Sequence, residues 1–162
     1  MVVTGTYDPY LVTLSILVAA FASYTALDLG AHVAAARGLA RRVWLAAAAI
    51  TMGGGIWSMH FVAMLAFIMP TPMSYDIGLT ALSLMVAIFV TGVGFYVISR
   101  KSASAPRLVF SGLFMGLGIA AMHYTGMAAM TGQAELGYDR LYVALSLLIA
   151  ICLPAAWERY HA

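Results

Sequence analysis

The amino-acid sequence predicts an all-α fold, a polytopic bundle of transmembrane helices built from repeated two-helix hairpins. The first observation is composition: of 162 residues, 64% are hydrophobic and only 9% are charged, whereas about a quarter of the residues in soluble domains are charged. The second is that the apolar residues form long runs separated by short polar connections. The third is that several residue pairs recur along the chain at matching offsets. The net charge of +2 gives no indication of a nucleic-acid partner.

Five apolar runs are long enough to cross a bilayer, whose hydrocarbon core needs about 20 residues of helix. Strands of a membrane β-barrel need only about ten residues and alternate strictly, so the run lengths favour helices. We therefore predict a single membrane domain over residues 1–162, with helices at about 10–34, 43–68, 77–98, 108–130 and 141–157.

The basic residues define the orientation that we expect in the membrane. They cluster in the first and third connections, as Arg37, Arg41, Arg42, Arg100, Lys101 and Arg107. Connections rich in Lys and Arg favour the cytoplasm. The amino terminus is therefore expected outside the cell and the carboxyl terminus in the cytoplasm.

A two-helix unit recurs along the chain. A Tyr-Asp pair opens each odd-numbered helix, at Tyr7-Asp8, Tyr75-Asp76 and Tyr138-Asp139, and Met59-His60 and Met122-His123 occupy the even-numbered helices. An Asp just before a helix can accept hydrogen bonds from the free amides of the first turn. The chain then contains two complete hairpins and half of a third. We expect the third Met-His helix to be missing, through truncation or degeneration.

The repeated histidines form the candidate site. His60 and His123 occupy matching positions in helices that run the same way, so both are expected at one depth, in the outer half of the bilayer. An ionisable side chain within a membrane span is a candidate functional residue. Methionines accompany them: Met64 and Met127 at i+4 on the same face, Met130 at i+7 from His123, and Met59 and Met122 just before, pointing towards a neighbouring helix or lipid.

Imidazole and thioether ligands, without thiolates or carboxylates, suit copper better than magnesium, calcium or structural zinc. The single cysteine, Cys152, excludes a cysteine cluster within one chain. Two histidines also ligate haem, but the small surrounding residues offer a macrocycle little room, so we place haem behind copper. The alternative is that the histidines pack through hydrogen bonds and that the methionines fill gaps in an apolar core.

Other residues are secondary candidates. Tyr124 either donates to a ligand or bonds a backbone carbonyl. Tyr24 and Asp28 share one face of the first helix near its cytoplasmic end. Asp28 either couples helices as a polar switch or pairs with His32 or a basic residue of the first connection. Trp57 is interpreted mainly as an interfacial anchor, deep enough to pack beside the histidine site.

The stretch Met122-His123-Tyr124-Thr125-Gly126-Met127 resembles the signature of the MHYT domain, a bacterial integral membrane sensor module. Residues 58–64 are similar to its more divergent first copy and residues 23–28 to its usual first helix, so the likeness covers nearly the whole chain. The resemblance implies a plasma-membrane domain in which Met, His and Tyr hold copper and which senses oxygen, carbon monoxide or nitric oxide. It also implies a cytoplasmic output module that makes or degrades cyclic di-GMP, or a kinase. This chain departs from the usual three repeats by ending after the fifth helix.

The expected function is therefore that of a sensory membrane domain in the bacterial inner membrane, signalling through a change of ligand or redox state. A membrane copper-handling or haem-bearing redox protein is the alternative, and a purely structural domain is a third. Catalysis is not expected, because the sequence has no nucleophile–base set and no phosphate-binding loop. The expected partners are the lipid bilayer, a fused or separate output domain and, in a homodimer, a second copy of the chain.

Overall fold

The computed structural model describes residues 6–68, 74–99 and 105–131. These residues form four helices and four two-residue strands, in the order β1 Thr6–Tyr7, α1 Pro9–Ala35, α2 Gly38–Leu65, β2 Phe67–Ile68, β3 Ser74–Tyr75, α3 Ile77–Ile98, α4 Ala105–Ala128 and β4 Met130–Thr131. The predicted all-helical class is confirmed. Each of the four described helices is long and apolar enough to cross a membrane. The predicted helix at 141–157 and the pair Tyr138-Asp139 lie outside the described residues.

The aspartates that precede α1 and α3 cap them as predicted. The Asp8 carboxylate accepts hydrogen bonds from the amides of Tyr10 (2.8 Å) and Leu11 (3.3 Å). The Asp76 carboxylate accepts one from the amide of Leu79 at 2.8 Å. These bonds satisfy first-turn donors that the helix itself leaves unpaired, which fixes where each helix begins.

Two helices have different bounds from those predicted. Helix α2 begins at Gly38 instead of 43, because Gly38 adopts a φ of 59° that lets the chain turn back within two residues. Arginine is also a good helix former whose charge can reach water, so the basic residues belong to the helix. Helix α2 ends at Leu65, not 68, and α4 ends at Ala128, not 130, because the chain then enters strands β2 and β4. Helix α4 also begins earlier than predicted, at Ala105 instead of 108.

The short strands join the helices at one end of the bundle. Strand β1 pairs antiparallel with β2, Tyr7 opposite Phe67, and β3 pairs likewise with β4, Tyr75 opposite Met130. We call each pair of strands a clasp. The amide of Asp8 donates to the Ala66 carbonyl, and that of Asp76 to the Ala129 carbonyl, both at 2.8 Å. Each clasp therefore ties the start of one helix to the end of the next, at what we call the strand end.

The bundle buries small side chains and exposes large ones. Its core contains many alanines, with serine, threonine and glycine, whereas Leu17, Phe21 and Leu27 on α1 are 60%, 74% and 76% exposed. Helices pack this way in lipid, where the outer surface need not be polar and close contact supplies the attraction. The observed pattern is that of a membrane-embedded protein.

Helices α2 and α3 approach each other closely at Gly53. A Cβ atom on Gly53 would lie 2.6 Å from the Ile88 Cα. The Thr91 hydroxyl, which is buried, donates across the seam to the Ala49 carbonyl at 3.1 Å. Helix α2 also packs on α1, and α3 on α4, while α2 and α4 touch only briefly. That brief contact contains the candidate site.

Candidate functional site

The two predicted histidines are in contact. Their Nδ1 atoms are 3.4 Å apart, and the ring centroids are 4.6 Å apart with an angle of 61° between the planes. Each histidine lies five residues before the end of its helix, His60 in α2 and His123 in α4, and both helices run towards the strand end. The matching sequence positions therefore become matching heights in the bundle.

The contact requires different hydrogen-bonding roles of the two rings. A hydrogen bond between two Nδ1 atoms needs one donor and one acceptor, so at least one ring is neutral. The other nitrogen of His60, Nε2, is buried and has no hydrogen-bond partner among the described residues. A buried polar atom without a partner is uncommon in proteins and calls for an explanation, such as a bound group.

A glycine and aromatic rings surround this nitrogen. A Cβ atom on Gly126 would lie 3.3 Å from His60 Nε2 and 3.4 Å from the Phe61 ring. The Phe61 ring meets His60 edge-on, with centroids 5.7 Å apart, and stacks on Trp57 at 4.4 Å. Tyr75 extends this wall at 6.0 Å from Phe61. The three rings form an aromatic wall on one side of His60.

Polar contacts hold the wall in place. The Trp57 indole N–H donates to the Ser83 hydroxyl at 3.0 Å, and that hydroxyl donates to the Thr80 carbonyl at 2.7 Å. Trp57 is thus anchored to α3. Burial raises the pKa of the Tyr75 phenol above its ordinary value. On the His123 side of the histidine pair, the Tyr124 ring meets the His123 ring edge-on, with ring centroids 5.3 Å apart.

The methionines divide into three groups. Met64 and Met127 are half-buried, one helical turn beyond the histidines on the same face. Met122 is only 2% exposed, so it points into the bundle and not to lipid, while Met59 is half-buried. Met130 lies outside α4: it is part of β4, opposite Tyr75, so its predicted i+7 position on the histidine face is wrong.

Tyr24 and Asp28 lie away from the histidines. Ala22 on α1 packs against Gly55 on α2, and from that level Asp28 and His60 extend in opposite directions, about 16 Å apart along the axis at 1.5 Å per residue. Asp28 pairs with His32. The His32 Nδ1 atom lies 2.9 Å from the backbone carbonyl oxygen of Asp28 and 3.8 Å from the Asp28 carboxylate. Tyr24 is 75% exposed. The structure thus gives Asp28 the local pairing that the sequence offered as one alternative.

The donors around the histidine pair fit a soft metal ion. The described residues contain no cluster of three or more His, Cys, Asp or Glu that could hold a metal, so a metal at the two imidazoles would need further donors, for which the methionines of the same helix turns are the candidates. Two nitrogens bound to one ion at about 2.0 Å would be separated by roughly the observed 3.4 Å. Thioether and imidazole together favour copper among the common ions.

Sequence reasoning missed Phe61, Ser83 and the spatial role of Gly126. Trp57 and Phe61 are four residues apart, so helical spacing places both on one face, and that signal was available. The Ser83 contact was not, because it depends on the rotation of α3 against α2. Gly126 was recognised as part of a motif, but its closeness to His60 follows only from the crossing of α2 and α4.

A membrane-embedded helical domain with a half-buried pair of histidines on two parallel helices is thus the class that fold and site define. The chain belongs to the MHYT family, described as a bacterial signalling protein N terminal repeat, whose model matches residues 53–111 and 116–156. No solved structure is significantly similar to the chain.

Three relatives from bacteria share most of the chain. It is 46% identical, over 94% of its length, to a bifunctional diguanylate cyclase/cyclic di-GMP phosphodiesterase, MucR, of Pseudomonas aeruginosa. It is 45% identical over 90% to the cyclic di-GMP phosphodiesterase NbdA of the same species, and 37% identical over 90% to the signaling protein YkoW of Bacillus subtilis. The chain spans 22%, 18% and 18% of these proteins, about a fifth of each.

Proposed function

We propose that the chain is the sensory domain of a bacterial membrane signalling protein and that it holds copper between His60 and His123. The observation that carries this proposal is the contact of the two Nδ1 atoms at 3.4 Å, a separation at which one ion could bind both nitrogens. Met64 and Met127 are the thioether ligands we favour, with Met59 and Met122 as further candidates and Tyr124 beside the pair.

Copper would supply a one-electron couple and an affinity for small diatomic ligands, which suits a sensor of oxygen, carbon monoxide, nitric oxide or redox state. The chain's own residues prepare the site. The wall of Trp57, Phe61 and Tyr75 limits the access of water, and the Trp57–Ser83 hydrogen bond fixes that wall to α3. Gly126 keeps the space beside His60 open.

Copper is favoured over haem because the two imidazole rings touch each other directly. A haem held by both histidines would have to lie between the rings. The neighbouring glycine and alanine positions, such as Gly126, bring the helices close together and do not widen the gap. A sensor is also favoured over a copper carrier. The residues between the two histidines and the arginine-bearing turn are mainly Gly, Ala and other apolar types, which do not suit a polar path for an ion.

The site is proposed to face the outside and the output to be cytoplasmic. The arginines of the α1–α2 turn lie at the end of the bundle opposite the strand end, and positive residues favour the cytoplasm. The names of two relatives describe synthesis or breakdown of cyclic di-GMP. We infer an output module of that kind, linked after the membrane domain, with no catalysis in the domain itself.

We also propose that the bundle arose by duplication of one hairpin. Asp8 and Asp76 cap equivalent helices, and the two clasps have the same register relative to them. Contacts repeat as well: Gly55 meets Ala22, and Gly118 meets Val90 at the equivalent positions. The family itself is described as a repeat. A third unit beginning near Tyr138 belongs to this proposal.

Metal analysis of the purified protein tests the site. We expect copper close to one ion per chain in the parent protein and its loss in both His60→Ala and His123→Ala, because each removes one of two central ligands. His32→Ala is the matched control, since His32 is 48% exposed and pairs with Asp28 on another part of the bundle. It should keep its copper.

The proposal fails if the parent protein binds no copper after loading, or if the two alanine variants retain as much copper as His32→Ala. An optical spectrum of the same samples distinguishes haem from copper, because haem has an intense absorption band in the visible region that a copper site lacks.

A further inference from the structure

The end of the bundle opposite the clasps contains a second concave site, which we call the arginine pocket. It is a cavity of about 450 Å³ lined by Arg37, Gly38, Arg41, Ser99 and the three alanines at 34–36. Its lining is mainly polar, unlike the apolar groove of about 350 Å³ between α2 and α3. The pocket is separate from the histidine site, and the inference drawn from it does not depend on the proposed metal.

In the part of the chain that the structure describes, no carboxylate balances the positive charge of the pocket. Among the described residues, none of Arg37, Arg41 and Arg42 lies within ion-pair distance of an acidic side chain. Arg41 uses one terminal nitrogen, Nη2, to donate to the carbonyl of Ser99 at 3.3 Å and to its hydroxyl at 2.9 Å. These are neutral acceptors, so the guanidinium charge remains available to an anion.

The protein also positions the two arginines. The bond from Arg41 to Ser99 joins the first turns of α2 to the end of α3, which holds the guanidinium at the pocket wall. Arg37 immediately precedes α2, and its own side chain makes no hydrogen bond to the first turn of that helix. A guanidinium offers several N–H donors in a plane and binds phosphate oxygens in pairs, as a lysine does not.

The height of the pocket matches the phosphate layer of a membrane. Helix α1 has 27 residues, which span about 40 Å, whereas a bilayer with its headgroups is about 40–45 Å thick. The pocket begins where α1 ends. Nearby, Trp44 stacks on His32 with ring centroids 4.7 Å apart, and tryptophan commonly marks the headgroup level.

We propose that the arginine pocket binds a phosphate group at the membrane surface, through Arg37 and Arg41. The same chemistry is offered by the headgroup of an anionic lipid and by a free phosphate compound of the aqueous phase. A bound phosphate would neutralise the two arginines together and connect the α1–α2 turn to the end of α3, close to where the chain is expected to meet the cytoplasm.

Lipid binding by the full chain tests the proposal. In detergent at 0.15 M salt, retention of phosphatidylglycerol and of phosphatidylcholine is compared by native mass spectrometry. We expect a preference for phosphatidylglycerol that falls about tenfold in Arg37→Gln and Arg41→Gln, the scale of a charged hydrogen bond. Arg42→Gln is the matched control: it removes the same charge from the same turn but lines the apolar groove. It should change the preference by less than about twofold, since diffuse attraction is screened.

A second arm identifies the source of the phosphate. The thermal midpoint of the protein is measured with inorganic phosphate and with chloride at equal ionic strength. A rise with inorganic phosphate that Arg37→Gln abolishes, without a lipid preference, assigns the pocket to a soluble phosphate compound. A lipid preference without that rise assigns it to a headgroup.

The proposal is overturned if neither phosphate source discriminates the parent protein from Arg37→Gln, or if Arg42→Gln weakens binding as much. Among the described residues, the Arg37 side chain makes no hydrogen bond to the first turn of α2, so we expect its replacement to leave the fold intact. It carries the test even if Arg41→Gln, which also loses the Ser99 contact, does not fold.

Discussion

At the scale of single residues, the candidate site depends on one contact between two histidines and on the glycine beside it. His60, His123 and their methionines could be identified from the sequence, because an ionisable residue recurs in matched apolar surroundings. The free Nε2 of His60 could not be identified, because it depends on ring orientation. The position of Met130 could not be predicted either, because helical periodicity does not show where a helix ends and a two-residue strand begins.

Replacement of Gly126 by alanine should weaken copper binding while leaving the fold intact. Its Cβ would lie 3.3 Å from His60 Nε2 and 3.4 Å from Phe61, so the ring must shift by a few tenths of an ångström. We expect affinity to fall by roughly tenfold, the effect of disturbing a residue that orients a ligand. Competition with a copper chelator measures it.

A matched control is Gly54→Ala, because a Cβ at Gly54 would have no heavy atom within 4 Å. Its copper affinity should equal that of the parent protein. Equal affinities in Gly126→Ala and Gly54→Ala would contradict the proposed closeness of Gly126 to the metal ligands.

At the scale of the elements, glycine spacing decides how closely α2 and α3 approach. Clustered glycines in a membrane helix permit close packing, but the sequence could not show which glycine faces which helix. Of the three consecutive glycines, Gly53 touches the Ile88 backbone, Gly55 meets Ala22, and Gly54 faces open space. The three side-chain positions point in directions about 100° apart, so one faces α3 and another α1.

Gly53→Ala should therefore destabilise the bundle by about 1–3 kcal/mol, the range for overpacking a close contact. The methyl group would meet the backbone of Ile88 at 2.6 Å, and backbone cannot rotate away. Unfolding in mixed detergent, followed by circular dichroism, measures the change. The neighbouring Gly54→Ala should be neutral or raise stability by up to about 1 kcal/mol, since alanine favours helix. A loss of similar size in both variants would refute the assigned orientation.

At the scale of the whole molecule, composition and run length were sufficient to predict a helical membrane protein, because the requirements of a bilayer are strict. The arrangement of large residues outside and alanines inside agrees with that prediction. Hydropathy could not predict the clasps, whose strands are two residues long and carry no alternating pattern. Their register follows from which helix ends meet in space.

The expected orientation can be tested by cysteine labelling. In a Cys152→Ser background, Leu39→Cys at the arginine-bearing end should react with a membrane-impermeant maleimide only in inverted vesicles. Thr6→Cys at the strand end should react only in right-side-out vesicles or cells. Leu39 is 76% exposed, and Thr6 is exposed as well, so both thiols are accessible. The opposite result would place the histidine site on the cytoplasmic side.

The clasps also limit how a change at the histidines can travel. Because each clasp hydrogen-bonds the start of one helix to the end of the next, the two helices of a hairpin resist a piston-like displacement along their axes. Because the turn at residues 36–37 also joins α1 to α2 at the opposite end, we expect the remaining freedom to be a rocking of the α1–α2 hairpin against α3–α4 that pivots at the strand end. At 1.5 Å per residue, His60 lies about 9 Å from that pivot and Arg41 about 37 Å. The lever is therefore roughly fourfold, so that a sub-ångström adjustment of the two rings becomes a displacement of an ångström or more at the opposite membrane face.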